Sequence, residues 1–549
     1  MVFSKTRTSF PSLLSAILDL YSRKVQQPMK KLPIGISTLA NILNDGYVYV
    51  DKTAYVQMLV DTGRYYFLSR PRRFGKSLLV DTLHQLFAGN ELLFRGLHIH
   101  PHWDWAVQYP VISLSFGSGQ LANRAELERR IRHMLRVNQE RLGIRCEDQE
   151  DVTSCFSDLI RHTQAKYGRN VVVLVDEYDK PILDNITKPD VAAEMRDGLR
   201  NLYSVIKDND AHIRFAFLTG VSKFSKVSLF SGLNNLEDIT LDPRYSALCG
   251  YTQTELEQHF AAHLQGADMP LVRAWYNGYN WGGESVYNPF DVLLFISKGK
   301  RFLPYWFETA TPAFLVDILR KRQFYLPDLE ALRMDYKALG DFDVDRIHLE
   351  TLLFQTGYLT IKEERLPFAG GLPEYILSYP NNEVRYSLMS YLLEYYLTDD
   401  RQERGSVYDA FLANDFAALE RRFRTLFDGI AHQNHTKNTM AAHEGYYASV
   451  MYAFLCSLSL DTRAEESSNK GRIDIALRFT LPNGQKQVYI FEFKMVKGTE
   501  GDGSAMAQIK QQDYAASYRD GQHRIFLIGM EFSAQVRNIV GFEWEEDCA

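Results

Sequence analysis

Apolar runs in the first half of the chain predict the strands of one buried sheet. They cover residues 65–69, 111–116, 170–177 and 213–219, and the third is apolar without a break until it ends in Asp176 and Glu177. Continuous apolar runs are typical of parallel strands that helices cover on both faces. The pattern therefore predicts an α/β domain with a parallel sheet.

A second group of elements is predicted at the C-terminal end. Residues 471–477 alternate, with Ile473, Ile475 and Leu477 on one face and Asp474 on the other. An apolar run over 488–496 follows a turn at 482–484, so the two strands should form a hairpin. Helices are predicted over 443–458 and about 505–518, and a strand over 524–530. The order is helix, strand, strand, helix, strand.

Charged residues in the apolar strand 488–496 indicate chemistry. Glu492 and Lys494 lie two positions apart, so they share a face in apolar surroundings where an unpaired charge is costly. The hairpin brings Asp474 towards Glu492, and Glu444 lies at the head of the apolar stripe of helix 443–458. Carboxylates at Glu444, Asp474 and Glu492 would hold Mg²⁺ or Mn²⁺, and Lys494 would orient the attacking water in a phosphodiesterase. The alternative is a buried structural ion pair in an unrelated α/β unit.

A phosphate-binding loop is predicted between the first strand and a helix that starts near Leu78. The loop backbone and the helix N-terminus would bind phosphates, Lys76 would reach the β- and γ-phosphates, and Ser77 would bind Mg²⁺. The predicted nucleotide-binding residues of the loop are Arg72, Arg73, Phe74, Gly75, Lys76 and Ser77. Arg70 stands where a P-loop normally has its first glycine, so the motif is imperfect.

Acidic and polar groups at other strand ends support this prediction. Asp176 would hold Mg²⁺, Glu177 would activate the hydrolytic water, and Thr219 would sense the γ-phosphate. Ligands of open parallel sheets bind at the carboxyl ends of strands, where Lys76 also falls. The alternative is a doubly wound domain with chance acids at its strand ends. Arg244 is a weak candidate for an arginine finger.

These motifs resemble known families. Asp474 followed by Glu492-Phe493-Lys494 resembles the PD-(D/E)XK nuclease signature, although Ile473 replaces its proline; Glu444 matches a helix-borne acid of many members. Gln508 and Tyr514 resemble the glutamine and tyrosine of its following helix.

From about Lys31 onward, the chain resembles bacterial proteins with an AAA-ATPase-like domain followed by such a nuclease domain. The stretches that carry the resemblance are 32–35, 49–53, 69–77, 176–181, 219–225, 275–279 and 354–359. Arg70 belongs to that family pattern, so its departure from the usual loop does not imply an inactive site. The resemblance implies ATPase and nuclease folds.

Composition fits a soluble, multidomain, cytoplasmic protein. The chain has 549 residues, 46% of them hydrophobic, and its apolar runs are too short to cross a membrane. The five cysteines have no metal-ligand spacing and fit reduced thiols. The predicted units are an ATPase core at 29–240, a helical lid at 241–328, a helical or winged-helix-like connector at 329–441, and the nuclease-like domain at 442–549. Residues 1–28 are predicted to be a dispensable extension before a natural start at Met29.

The net charge of −6 argues against coating of nucleic acid by bulk electrostatics, so any binding surface must be local. Arginines of the predicted helix 126–141 are one candidate, although interspersed glutamates favour an ordinary solvated face. Two functions remain open. One is an ATP-regulated nuclease that cuts DNA or RNA with Mg²⁺ or Mn²⁺; the other is a nucleotide-driven switch or scaffold whose C-terminal domain binds without cutting. AAA-like relatives often form rings, so a homo-oligomer is possible.

Overall fold

A computed structural model describes residues 29–223, 233, 235–307, 324–340, 348–368, 370–396, 401–429, 444–467 and 472–548. The proposed N-terminal extension, 1–28, lies outside the described residues. No helix among those described is long and apolar enough to span a bilayer.

The N-terminal sheet is parallel, as the apolar runs predict, and has five strands, the four predicted ones and a short fifth strand that was not predicted. They are β1 (Tyr65–Ser69), β2 (Val111–Ser115), β3 (Val171–Asp176), β4 (Ile213–Gly220) and β5 (Glu237–Asp238). Their order across the sheet is β2-β3-β4-β1-β5, so β4 separates the strand that enters the loop from the strand that ends in Asp176. Every residue of β1 and β3 is buried, because helices cover both faces.

The helices of this domain connect the parallel strands. They are α1 (Leu39–Asn44), α2 (Thr53–Thr62), α3 (Lys76–Phe87), α4 (Glu91–Phe94), α5 (Arg124–Leu142), α6 (Val152–Tyr167), α7 (Lys180–Leu183) and α8 (Pro189–Asp208). A loop between α5 and α6 contains a difference from the sequence prediction. Cys146 of this loop and Cys155 of α6 form a disulfide, with 5.0 Å between their Cα atoms, instead of remaining reduced.

Helices and one small sheet form the middle of the chain. The helices are α9 (Gln253–Leu264), α10 (Met269–Tyr276), α11 (Pro289–Ser297), α12 (Tyr336–Gly340) and α13 (Leu349–Thr356). A capping box at Thr252 starts α9, and Asn288 caps α11 just before its first-turn proline. The strands β6 (Leu332–Asp335), β7 (Thr360–Arg365) and β8 (Glu374–Ser378) form an antiparallel sheet.

The C-terminal domain is a mixed five-stranded sheet between helices. Its strands are β9 (Asp461–Ser467), β10 (Arg472–Thr480), β11 (Lys486–Val496), β12 (His523–Ser533) and β13 (Asn538–Asp547), in the order β13-β12-β11-β10-β9. The helices are α14 (Asn382–Tyr396), α15 (Arg401–Ala413), α16 (Phe416–Asp428), α17 (Glu444–Ser457) and α18 (Ser504–Gln512). The predicted hairpin is present as β10 and β11, but both edge strands are additions to the predicted order.

The last predicted helix is interrupted. It ends as α18 at Gln512, Asp513 adopts a left-handed conformation with φ of 50°, and a 3₁₀ turn follows over Tyr514–Tyr518. Aspartate tolerates this conformation better than most residues, and the guanidinium of Arg519 binds its carboxylate at 2.8 Å. The break turns the Tyr514 side chain towards the sheet, where it packs with Val488 and Ile490.

A buried polar cluster fastens the middle of the chain to the C-terminal sheet. Arg385 of α14 lies 3.6 Å from the carboxylate of Glu330, and its guanidinium also donates to the carbonyl of Thr462 at 2.8 Å. Glu330 accepts hydrogen bonds from the Tyr452 hydroxyl at 2.7 Å and from the Ala464 N–H at 3.2 Å. The connector and the C-terminal domain therefore share a packed interface.

Candidate functional sites

The phosphate loop follows β1 and turns sharply into α3. Arg73 and Gly75 both have positive φ, at 70° and 90°, and Gly75 immediately precedes the helix. A Cβ added at Gly75 would have no other atom within 4 Å. Glycine is therefore favoured at this position by the positive φ of its backbone, not by crowding. Lys76 begins α3, and its ammonium donates to the loop carbonyls of Arg70 and Pro71 at 3.0 and 2.9 Å. Burial lowers its pKa.

The other predicted loop residues divide into exposed and buried ones. The side chains of Arg72 and Arg73 are exposed at the rim, and the Arg73 guanidinium lies 4.7 Å from the ring centre of Phe290. Phe74 is buried in edge-to-face contact with Tyr279 and Trp281, so its side chain anchors the loop. Ser77 is half-buried in the first turn of α3.

Arg70 explains why the loop tolerates a departure from the usual motif. Its side chain is fully buried and donates to the carbonyls of Ser69, Thr240 and Tyr245. The guanidinium also lies 4.1 Å from the ring centre of Trp281, and burial lowers its pKa to about 10. Arg70 thus fixes the start of the loop from below.

The carboxyl end of β3 carries the predicted acids. Asp176 is buried, and its carboxylate accepts the backbone N–H of Glu177 at 3.0 Å. Glu177 has a left-handed backbone, with φ of 51°, and its carboxylate lies against Gly117, where an added Cβ would meet it at 3.2 Å. Burial, and then the negative charge of Asp176, raises the pKa of Glu177. A raised pKa suits a group that accepts a proton near neutral pH.

Thr219 sits between these groups, inside the sheet. It is fully buried, and its hydroxyl donates to the carbonyl of Leu68 on β1 at 2.8 Å. It does not line the cavity that contains Lys76 and Glu177. Its role as a γ-phosphate sensor therefore stays a prediction.

Lys76, Glu177 and the loop face one cavity of about 630 Å³. Its walls come from the loop, the end of β3, the segment before α1, and the first turn of α11. The lining residues with polar or charged side chains include Lys52, Arg72, Arg73, Ser77, Asp179 and Lys180. The volume, the positive φ angles and the lysine together fit a nucleoside triphosphate.

Three residues around this cavity were not predicted to belong to the site. Asp179 is buried and accepts from the Ser222 hydroxyl and N–H, both at 2.6 Å; burial raises its pKa. Lys52 bridges to Glu255 of α9 at 2.6 Å. The indole N–H of Trp306 donates to the loop carbonyl of Arg72 at 3.2 Å. All depend on contacts between distant segments, although Asp179 could have been suspected from its place just after Glu177.

A buried pair of acids lies behind Trp306. The Trp306 backbone N–H donates to the carboxylate of Glu383 on α14 at 2.8 Å, and Asp291 of α11 lies beside Glu383. Burial, and then Glu383, raises the pKa of Asp291 well above its ordinary value. Two neighbouring buried carboxyl groups disfavour ionisation of both, so a raised pKa on one of them is expected.

The C-terminal sheet brings together Asp474, Glu492 and Lys494. The Lys494 ammonium lies 3.2 Å from Glu492, whose side chain is almost fully buried. The Phe493 N–H donates to the Asp474 carboxylate at 2.8 Å, which fixes that carboxylate against β11. All three share the sheet face that α18 covers, since their apolar neighbours Val488 and Ile490 contact α18.

The predicted helix partners are also near. The Gln508 amide donates to the Tyr514 hydroxyl at 3.3 Å, and Glu492 and Asp474 contribute to raising the Tyr514 pKa, although burial contributes most. Glu444 is the first residue of α17, which packs on the opposite face of the sheet through Tyr447 and Phe532. The Glu444 side chain lies outside the described residues. Among those described, no group of three or more His, Cys, Asp or Glu side chains could hold a metal ion.

Arg244 has no cavity contact. Its guanidinium pairs with Asp242 at 2.5 Å on the surface.

Comparisons with known proteins agree with this architecture. A family model described as Predicted AAA-ATPase matches residues 33–230, and one for the PD-(D/E)XK nuclease superfamily matches residues 442–542. An "Uncharacterized protein in vnfD 5'region" of Azotobacter chroococcum mcd 1 is 53% identical over 518 residues, which cover 93% of this chain and 98% of that protein. The chain therefore belongs to the family that joins a predicted AAA-ATPase domain to a PD-(D/E)XK nuclease superfamily domain.

Proposed function

We propose that the protein binds and hydrolyses ATP in its N-terminal domain and cleaves phosphodiester bonds of nucleic acid in its C-terminal domain. The observation that carries the nuclease proposal is the group of Asp474, Glu492 and Lys494 on one buried sheet face, with Lys494 3.2 Å from Glu492. A module that only binds would have no need for a charged pair in that position, since its burial is costly.

The donor set of this face fits a divalent cation. Asp474 and Glu492 offer carboxylate oxygens, the ligands that Mg²⁺ and Mn²⁺ prefer. Glu444, at the start of the helix that packs on the opposite face, is proposed as a third acid that reaches the cation from the end of that helix. A bound cation would polarise the phosphate and acidify a water. Lys494 would orient the attacking water and balance charge that develops on the phosphate. The Phe493 N–H holds the Asp474 carboxylate in place for this role.

The ATPase proposal rests on the cavity between the loop and β3. Gly75 and the start of α3 present backbone N–H groups, and Lys76 lies within the same cavity to receive the β- and γ-phosphates. Asp176 and Ser77 would hold the Mg²⁺ that accompanies the nucleotide. Glu177, with its raised pKa, would take the proton of the attacking water.

Reciprocal variants test both halves in one full-length protein. Lys494→Ala should abolish Mg²⁺- or Mn²⁺-dependent cleavage of DNA or RNA and leave the ATP-induced rise in melting temperature intact. Lys76→Ala should eliminate that rise, which for ATP at a hundred times its Kd corresponds to about 2.7 kcal/mol. Exposed lysines provide matched controls, Lys486→Ala on the same strand and Lys207→Ala in α8.

Each half can fail separately. A wild-type protein that cuts neither DNA nor RNA with Mn²⁺ and ATP would favour the nucleotide-driven switch or scaffold. An unchanged melting shift in Lys76→Ala would count against the phosphate loop.

A further inference from the structure

A second large cavity opens along the outer face of α5. It lies beside the cavity that contains Lys76 and Glu177, which we call the ATP cavity. Its volume is about 670 Å³. We call it the arginine groove, defined by Arg129, Arg130, Arg132, His133 and Arg136 of α5 and the facing segment 118–121. The groove belongs neither to the predicted phosphate loop nor to the nuclease face.

The arginines form a stripe because of helical spacing. Arg129, Arg132, His133 and Arg136 stand at positions i, i+3, i+4 and i+7, so they lie on one side of the helix. The opposite side, which includes Leu127, Ile131 and Leu135, is buried in the domain core. The stripe is thus held on a rigid support about 10 Å long.

Two of the guanidinium groups are positioned by backbone carbonyls. Arg130 donates to the carbonyl of Ser118, and Arg132 donates to that of Glu150 at 3.2 Å. Carbonyl groups leave the positive charges uncompensated. The nearest ion pairs in the groove are long and each has one exposed partner, with Arg129 4.0 Å from Glu126 and Arg132 3.9 Å from Glu150. Such surface pairs contribute little, so an incoming anion can replace them.

The charge of the groove differs from that of the whole chain. Its lining has four arginines against the carboxylates of Glu126 and Glu150, whereas the chain carries a net charge of −6. A concave basic surface on an acidic protein concentrates attraction at one place. The lining includes no Phe, Tyr or Trp, so it offers no platform on which single-stranded bases could stack.

We propose that the arginine groove binds the phosphate backbone of duplex nucleic acid. This proposal deepens the proposed function and rests on it, because the bound duplex would be the substrate of the nuclease domain. A duplex carries its phosphates on the outside and needs charge, not stacking, for recognition without sequence preference. In this proposal the groove holds the substrate by its backbone, and the carboxylates of the C-terminal domain cut it.

The groove also adjoins the ATP cavity. Gln120 lines both, and Gly117, three residues earlier, lies so near the Glu177 carboxylate that an added Cβ would meet it at 3.2 Å. The carbonyl of Gly119 accepts the ammonium of Lys180, another residue of the ATP cavity, at 2.8 Å. One short segment is thus the wall between the arginine stripe and the proposed base for ATP hydrolysis.

The test measures binding separately from cleavage. Full-length protein in EDTA, which prevents metal-dependent cutting, is titrated into a fluorescein-labelled DNA duplex, an RNA duplex and a single strand, and anisotropy is followed across salt concentrations. The variant is Arg129→Glu with Arg136→Glu, both exposed and without backbone hydrogen bonds in the described structure. The matched control is Arg95→Glu with Arg169→Glu, exposed arginines outside the groove.

We expect the groove variant to bind duplex at least tenfold more weakly and to lower the slope of log K against log salt by about 2, since each lost phosphate contact removes about 0.9. The control should keep wild-type affinity and slope, and both variants should keep the wild-type melting temperature. Equal duplex binding by the groove and control variants would overturn the proposal that the groove binds duplex. A preference of the wild-type protein for single strands would overturn it too. Wild-type protein that binds duplex through the groove but cuts nothing with Mn²⁺ would overturn the nuclease and leave the groove standing.

Discussion

The two candidate sites of this chain use a lysine in different ways. Lys76 is held by the carbonyls of Arg70 and Pro71, which belong to its own loop, and the loop offers mainly backbone groups to a ligand. Lys494 lies 3.2 Å from the carboxylate of Glu492, and the groups that the described part of that site offers are the side chains of two strands. Backbone groups depend on loop shape, whereas side-chain groups depend on residue identity. The comparison explains why Arg70 is tolerated in the loop, and it predicts a lower tolerance in the nuclease domain.

The largest effect should come from neutralising the nuclease carboxylate without changing its shape. Glu492→Gln should abolish metal-dependent cleavage, a loss beyond the about 10- to 100-fold that follows loss of a group supporting a metal ligand. Because the Lys494 side chain is 24% exposed and the glutamine oxygen can still accept from its ammonium, the melting temperature in metal-free buffer should change little. Cleavage and thermal melting are compared with those of Glu543→Gln, an exposed glutamate on β13. Retained cleavage would show that the site does not depend on that side chain.

A smaller, graded effect is expected at the ATP site. Glu177→Gln should reduce ATP hydrolysis by about 10²- to 10⁴-fold and spare ATP binding, as removal of a general base does. Because the Glu177 pKa is raised, its basic form is lost as pH falls through a value above that of an ordinary glutamate. The acid limb of the wild-type rate profile should therefore lie at that higher pH and vanish in the variant. Glu140→Gln is the exposed control; a variant with the wild-type acid limb would exclude Glu177.

The next effect is a loss of stability at Asp179, which lines the cavity beside the phosphate loop. In Asp179→Asn one oxygen remains for the Ser222 N–H and hydroxyl, which both donate to Oδ2. An amide NH₂ replaces Oδ1, which accepts the Val221 N–H at 3.2 Å, and this loss should cost about 1–3 kcal/mol of stability. Chemical denaturation would measure it beside Asp208→Asn, an exposed aspartate. An unchanged midpoint would mean that Asp179 does not support the cavity.

The smallest expected effect is a change in how steeply the melting temperature depends on pH. The folded-state pKa of Asp291 is raised, so the folded protein binds more protons than the unfolded chain at pH values above the ordinary carboxyl pKa. Its contribution to stability is therefore present at low pH and is lost as pH rises through that window. Asp291→Asn should flatten the dependence of melting temperature on pH there, and Asp45→Asn, which is exposed, should not. Identical slopes in the wild type and Asp291→Asn would rule out a raised pKa of Asp291 beside Glu383.

Local patterns predicted the central strands and the edge strand β2, and missed the edge strands β5, β9 and β13. The strands β1, β3, β4 and the β10–β11 hairpin are apolar because neighbours cover them, and that signal is visible in the sequence. The edge strands β9 and β13 carry many charged residues, which blunts unwanted pairing and also hides the strand signal. The break at Asp513 was missed because a left-handed residue leaves only a weak trace in the sequence.

The predicted site residues follow the same division. Lys76, Asp176 and Glu177 could be proposed because each lies beside a strand end in the chain, and Asp474 because a turn returns it to Glu492. Roles for Lys52 and Trp306 could not, since their partners Glu255 and Arg72 are 203 and 234 residues away along the chain. Only tertiary packing reveals such contacts.

Helix α17 has a practical consequence for anyone dividing this chain into fragments. All residues of 446–457 are buried, so the helix needs cover on every side, from the sheet on one and from α14 on another. A fragment limited to residues 442–542 would lack α14 and would stop inside β13. Such a fragment would expose the apolar surface of α17 to water. A soluble fragment must therefore begin upstream of Asn382 and run to the end of β13.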